Sequence, residues 1–250
     1  MGVRSNFRNK VTFSLAVIAI ILVSSNANAF TFIPSEQEFG RWSDKCRALY
    51  LSTTVGKKSK YHDRVPWSIV TKYRNAANRY GGGPWHYCSG LSYRDKAKAT
   101  FGDKKKRAGL FKRSLEEVTY TYRTIKKREP WAAEIGVTLG ALYRETNQHD
   151  KAIVVLDEVV QIHPRYIPAY SSRALVLKDM GKVKEAISFL EGIDPEIRES
   201  SSEINYFLGI FYADLKDIDN AKRYAEIAYK LGYPLPGLKN RIKKLSMNEG

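Results

Sequence analysis

Three stretches in the second half of the chain align with one another. They are LGALYRETNQHDKAIVVL (139–156), RALVLKDMGKVKEAISFL (173–190) and LGIFYADLKDIDNAKRYA (208–225). The small residues Gly140, Ala174 and Gly209 recur at spacings of 34 and 35, and an alanine follows each by twelve residues: Ala152, Ala186 and Ala221. A period of this length describes one supersecondary unit that buries its apolar face only by stacking on its neighbours. Small residues at facing positions let two antiparallel helices bring their backbones close. Tyr143, Leu177 and Tyr212, three residues after the anchors, fill the space beside that contact. Asn147, Gly181 and Asp217 mark the turn between the two helices, and Pro164 falls where a unit ends.

On these residues, the segment 131–235 resembles the tetratricopeptide-repeat superfamily. An aromatic residue usual early in the first helix is present as Tyr170 but replaced by Gly136 and Asn205 in the other two units. Arg198 stands where a closing proline is common. The resemblance implies an all-α fold of helical-hairpin repeats, an α-solenoid. Downstream, Pro234 and Pro236 cannot continue a helix. GLKNRIKKL then reads as an amphipathic cap with Leu238, Ile242 and Leu245 on one face, shielding the last apolar surface of the stack.

The chain opens with Arg4, Arg8 and Lys10 and no acid, followed by the apolar run VTFSLAVIAIILV (11–23) and Ala27-Asn28-Ala29. This order predicts a secretory signal peptide cleaved after Ala29 and a periplasmic protein. An uncleaved inner-membrane anchor is the weaker alternative, because a span wants about 18 or more apolar residues. The organisation expected is therefore 1–29 signal peptide, 30–130 basic helical region with a degenerate repeat, 131–235 three repeats, and 236–250 capping helix and tail. Two cysteines, Cys46 and Cys88, in an oxidising compartment read as one disulfide. There is no Cys-x-x-Cys, and His86 with Cys88 matches no recognised metal-ligand spacing.

Residues 30–130 read as helical too. Ser35 and Glu38 form a capping box, opening one helix that carries Phe39, Trp42, Cys46, Leu49 and Tyr50 on a single face. GKKSKYHDRV (56–65) reads as a polar, mobile loop. Helices are expected over 66–80 and 85–98, and a fourth carries Ala108, Phe111, Leu115, Val118, Tyr122 and Ile125 before Pro130 stops it. The last two read as a degenerate repeat, stapled to the first helix by the disulfide. WSDKCRALY, HYCSGL and GYPLPGL make the whole chain similar to a group of exported tetratricopeptide proteins of Gram-negative bacteria. That resemblance implies a periplasmic helical-repeat protein and supplies no catalytic residues.

No phosphate-binding glycine loop, Gly-x-Ser-x-Gly or His-Glu-x-x-His occurs. No two of His62, His86, His149 and His163 share a helical face, and His149 and His163 read as surface residues. The adjacent acids Glu116-Glu117 and Asp157-Glu158 read as solvated. The expectation is a non-enzyme with no cofactor and no metal. By superfamily analogy, positions 2, 5, 9 and 12 of each unit line a groove. They are Glu134, Val137, Ala141 and Arg144; Pro168, Ser171, Leu175 and Lys178; Glu203, Tyr206, Ile210 and Ala213. An apolar middle with Arg144 and Lys178 at its edges suits an amphipathic helix or extended peptide of a protein partner in the cell envelope. The alternative is that these residues pack against the N-terminal helices. Some superfamily members clamp a C-terminal carboxylate with Lys and Asn where Val137 and Ala141 stand, so that mode is not expected here.

Charge is uneven. Residues 30–128 carry 23 Lys and Arg against 8 Asp and Glu, while residues 129–250 carry 16 against 18. Lys57, Lys58 and Lys60 form one basic cluster, with Arg64, Lys72 and Arg74 close behind; Lys104, Lys105, Lys106 and Arg107 form another. Such clusters attract polyanions. Outside the cytoplasm that means anionic lipid or acidic polysaccharide rather than nucleic acid. A solvated face with no ligand is the other reading.

Overall fold

The computed structural model of the protein describes residues 32–81 and 83–247. The leader expected at 1–29 lies outside the described residues. Among the described residues there are fourteen helices and no strand, and no helix is long and apolar enough to cross a membrane. In chain order they are α1 (Glu36–Arg41), α2 (Asp44–Ser52), α3 (Thr54–Lys57), α4 (Trp67–Tyr80), α5 (Trp85–Ala99), α6 (Lys104–Thr124), α7 (Pro130–Glu145), α8 (His149–Ile162), α9 (Ile167–Asp179), α10 (Val183–Glu191), α11 (Pro195–Ser200), α12 (Ser202–Asp214), α13 (Ile218–Lys230) and α14 (Gly237–Met247). Antiparallel pairs α7–α8, α9–α10 and α12–α13 correspond to the three repeating stretches, and α5–α6 makes a fourth pair ahead of them.

The small residues do what their period implies. Ala152, Ala174, Ala186 and Ala221 are fully buried. A methyl group built on Gly140 would lie 2.7 Å from the Leu156 side chain, closer than packed carbons approach. One built on Gly209 would lie 2.4 Å from Leu238 of α14, so this glycine also seats the cap. Leu238 and Ile242 are buried and Leu245 packs beside them.

Each pair turns through a residue in the left-handed region: Asn147 (φ 57°), Gly181 (φ 77°) and Lys216 (φ 61°). In the third turn the strained position is Lys216 rather than Asp217. Asp217 instead caps α13, its carboxylate accepting the Asn220 amide N–H at 3.1 Å.

The departures from the repeat pattern have local explanations. A methyl on Gly136 would lie 2.4 Å from Val159 and 2.7 Å from Tyr122, so the missing aromatic makes room for Tyr122 of α6. The Asn205 amide donates to the Arg198 and Ser201 carbonyls, both at 2.8 Å, and ties the extra helix α11 to the start of α12. Arg198 lies within α11.

The N-terminal region differs from expectation in three places. The capping box at Ser35 and Glu38 is present, but the single helix it was expected to open is two. Trp42 is extended, and Ser43 starts α2 afresh by accepting the Cys46 amide N–H. The break frees the Trp42 indole to donate to Ser92 Oγ at 2.7 Å. Next, GKKSKYHDRV is folded rather than loose. Tyr61 is fully buried, stacks on Phe39 with ring centroids 4.3 Å apart, and donates to the Pro34 carbonyl. Finally, α6 ends at Thr124, six residues short of Pro130, because Ile125 turns extended to bury its side chain and the Lys126 N–H pairs with the Tyr80 carbonyl.

Cys46 and Cys88 are bonded, with Sγ–Sγ 2.04 Å, joining α2 to α5. HYCSGL is therefore a helix contact carrying a staple. A methyl on Gly90 would lie 2.5 Å from Val118, so this glycine lets α5 and α6 close. Removing the crosslink in a Cys46→Ala/Cys88→Ala variant should lower stability by about 4 kcal/mol on the chain-entropy account of a loop of this span. Urea unfolding followed by circular dichroism would measure it, with the helical signal of the folded state retained.

Candidate partner-binding face

The first helices of successive pairs touch one another, α7 with α9 and α9 with α12, and α12 touches the cap α14. They form one wall, and all twelve positions expected to line the groove lie on them. They are not equally available. Ser171, Tyr206 and Ala213 are buried, whereas Val137, Ala141, Leu175 and Ile210 are half-buried. Val137 leans on the Ala152–Leu156–Val176 cluster. Leu175 and Ile210 lean on the larger cluster built around Leu190, Leu208 and Phe211.

Both ends of the wall are covered. At the first end Lys45 of α2 sits over the Trp131 ring, 4.2 Å from its centroid, and bonds Glu134 at 2.9 Å. Glu134 also accepts from the Tyr87 hydroxyl at 3.0 Å. Burial, and then the Glu134 charge, push the Tyr87 phenol far above its ordinary pKa, so it stays a hydrogen-bond donor. At the other end Tyr233 stacks on Tyr206 at 4.0 Å, and α14 packs against both. Tyr206 is therefore a structural residue under the cap. The open part is the middle: Val137, Ala141, Leu175 and Ile210.

A pocket of about 320 Å³ opens beside the first end, between α2, α4 and α7. Leu49, Tyr73, Tyr80, Trp131 and Tyr166 line it, with Lys45 and Glu134 among its polar walls. Its aromatic lining and few polar groups are the usual composition of a recognition pocket.

The charged edge expected to meet a partner is already engaged within the chain. Arg144 bonds Asp179 at 2.7 Å. Lys178 lies 3.3 Å from Asp214, which Arg241 of α14 also reaches. One step earlier, Arg94 and Lys98 of α5 hold Glu145, at 2.8 and 2.9 Å. A basic residue on each first helix thus bridges to an acid on the next, giving a ladder along the stack. Glu145, Asp179 and Asp214 each stand five residues after an anchor. The same period that reveals the repeats could have revealed the ladder.

The remaining polar groups are also placed. Glu117 is paired with His86 at 2.5 Å, and Glu158 accepts from the Tyr122 hydroxyl at 2.7 Å, so neither acid is simply solvated. Asp157 is bonded by Arg173 and Glu116 by Arg113. His149 and His163 are half-buried, and a His163 ring nitrogen meets the Lys127 carbonyl at 2.7 Å. Among the described residues, no three His, Cys, Asp or Glu side chains gather as a metal site would require.

The two basic clusters are unlike. Lys60 and Arg64 are both bound to Glu36, and Lys57 lies over the Trp67 ring. Lys58 is exposed. Lys104, Lys105 and Lys106 form no ion pair among the described residues.

No protein-family model and no curated protein matches the chain. Solved structures to which it is similar include PilF of Pseudomonas aeruginosa, 15% identical over 82% of this chain and 86% of that one, with TM-score 0.46. A thermophilic TPR protein of Thermus thermophilus is 18% identical over 71% of this chain and 95% of that one, with TM-score 0.45. MamA of Desulfovibrio magneticus RS-1, from residue 41 to its end, is 17% identical over 64% and 85%, with TM-score 0.44. The class of fold follows from the geometry above: antiparallel helix pairs stacked in step with the repeat form a tetratricopeptide-type α-solenoid.

At its first step, Glu145, the ladder makes stability depend on pH. Burial pushes the Glu145 carboxyl up, but hydrogen bonds from Arg94 and Lys98 outweigh it and hold the group below its ordinary value of 4.5. A carboxyl depressed in the folded state contributes stability above that value and loses it as pH falls through the folded one. Glu145→Gln should therefore lower stability at pH 7 and flatten its decline below pH about 4.5, read as urea midpoints across an acid pH series.

Proposed function

We propose that the chain is an exported, non-enzymatic scaffold that binds a protein partner along its first-helix wall. The observation that carries this is the wall itself: an apolar strip of Val137, Ala141, Leu175 and Ile210, half-buried between two covered ends. The aromatic pocket at Trp131 and Tyr166 adjoins it and suits one anchoring side chain. Because Arg144 and Lys178 are held by the ladder, they frame the strip rather than choose the ligand by charge. An amphipathic helix or an extended segment with apolar anchors is the ligand such a surface accepts.

The compartment rests on the leader residues 1–29, and the Cys46–Cys88 bond supports an oxidising one. The reading is of a protein of the periplasm, working within an envelope assembly. Protein recovered from the periplasmic fraction should begin at Phe30, as N-terminal sequencing would show.

Ala141→Glu and Leu175→Glu place a charge on the strip. Each should weaken partner capture at least about thirtyfold, the scale of losing a central interface contact, while leaving the thermal unfolding midpoint within a few degrees. The measurement is crosslinked affinity capture of the tagged chain from its own cell envelope, with mass spectrometry of stoichiometric companions. Capture unchanged in both variants would remove the wall as the binding site.

A further inference from the structure

The turn between α5 and α6 has features that packing does not explain. It is four residues, Thr100–Asp103, and it bends at Gly102 (φ 79°), around which a side chain would meet nothing within 4 Å. Phe101 beside it is 87% exposed, more than any other large hydrophobic side chain described. Every residue from 101 to 109 is exposed, so α6 starts well clear of the body of the molecule.

The first turn of α6 reads Lys104, Lys105, Lys106, Arg107, with no acid inside it. Positive charge is unfavourable at a helix N-terminus, where the backbone dipole is already positive. Only the Asp103 cap opposes it, accepting the Lys106 amide N–H at 2.9 Å. None of these four cations forms an ion pair with another described residue. Some cations elsewhere in the basic half are neutralised, Lys60 and Arg64 by Glu36, Lys96 by Glu38 and Lys98 by Glu145, and Lys57, Lys72 and Arg74 lie over aromatic rings. The start of α6 is set apart by four consecutive cations beside an exposed phenylalanine. An exposed phenylalanine and a ring of repelling cations both lose free energy in water. A negatively charged interface with an apolar layer beneath it reverses both signs.

We propose that this tip docks on the surface of a bilayer containing anionic phospholipid. Phe101 enters the acyl boundary, and Lys104, Lys105, Lys106 and Arg107 sit among the headgroup phosphates. A polysaccharide or nucleic acid would satisfy the cations but offers no apolar phase for Phe101. The tip lies at the ends of the helices: Lys98, near the end of α5, bonds Glu145 at the end of α7. It is therefore on the edge where the pairs turn, not on the first-helix wall. A docked molecule keeps that wall open, and the inference does not depend on the wall binding a partner.

The test is co-sedimentation of the mature chain with vesicles of phosphatidylcholine alone or mixed with phosphatidylglycerol. Binding is expected only to the mixed vesicles, weakening as salt rises. K104E/K105E/K106E should weaken it by at least about a hundredfold, since each lysine near such a surface contributes about fivefold and each glutamate adds repulsion. K57E/K58E/K72E makes the same change in net charge and should weaken it far less. Phe101→Ala should weaken it roughly tenfold, and the added indole of Phe101→Trp should shift its emission to the blue on mixed vesicles. No binding to mixed vesicles, equal losses from the two triple variants, or indifference to Phe101→Ala would each overturn the proposal. Indifference to Phe101→Ala with displacement by dextran sulfate would identify a polyanion site instead. Circular dichroism of every variant separates lost binding from lost folding.

Discussion

Close approach between helices is the constraint on which the rest of this structure depends. At Gly140, Ala174 and Gly209 the first helix of each pair has almost no side chain; Gly140 meets Leu156, Ala174 shares a cluster with Ala186, and Gly209 meets the Ala221 backbone as well as Leu238 of the cap. Dispersion falls steeply with distance, so pairs held this close are stiff units. Stacking them brings α7, α9 and α12 side by side and leaves their outer positions as one wall. A larger residue at an anchor would push the pair apart and tilt everything after it, because each unit is seated only on its neighbours.

The N-terminal region is held by other means. Ahead of the α5–α6 pair it has no repeat to stack, and it uses one crosslink and a cluster of rings: Phe39 on Tyr61, Trp42 near Tyr50 and Phe32. Lys45 and the pocket residues Leu49, Tyr73 and Tyr80 meet the wall at Trp131 and Glu134, so the first end of the wall is shared between the two regions. The pocket there is lined by residues far apart in the chain.

Charge serves two separate purposes. In the repeats, acids at one position of each first helix bind cations from the previous one and from the cap. In the basic half some cations are neutralised locally by Glu36, Glu38 and Glu145, and those at the start of α6 are not. Exposed single pairs contribute little to stability. A ladder that recurs in step with the fold fixes the offset between neighbouring helices instead.

Much was legible in the sequence because repetition is a sequence property. The period of 34, the small anchors, the cap at Leu238 and Ile242, and the Cys46–Cys88 pairing could all be read from residue types and spacing. The positions of the wall could be read too, since helical spacing assigns them to one face. What the sequence could not say was which of them stay open. Tyr206 and Leu175 both read as groove residues. Only the fold of the chain after Gly232 puts Tyr233 over one and leaves the other half-buried. The break at Trp42, the burial of Tyr61 in a run of polar residues, and the early end of α6 were likewise decided by contacts with Ser92, Phe39 and Tyr80. Local pattern determines which residues can share a face; which face is covered depends on partners distant in sequence, whose packing free energy exceeds any local preference.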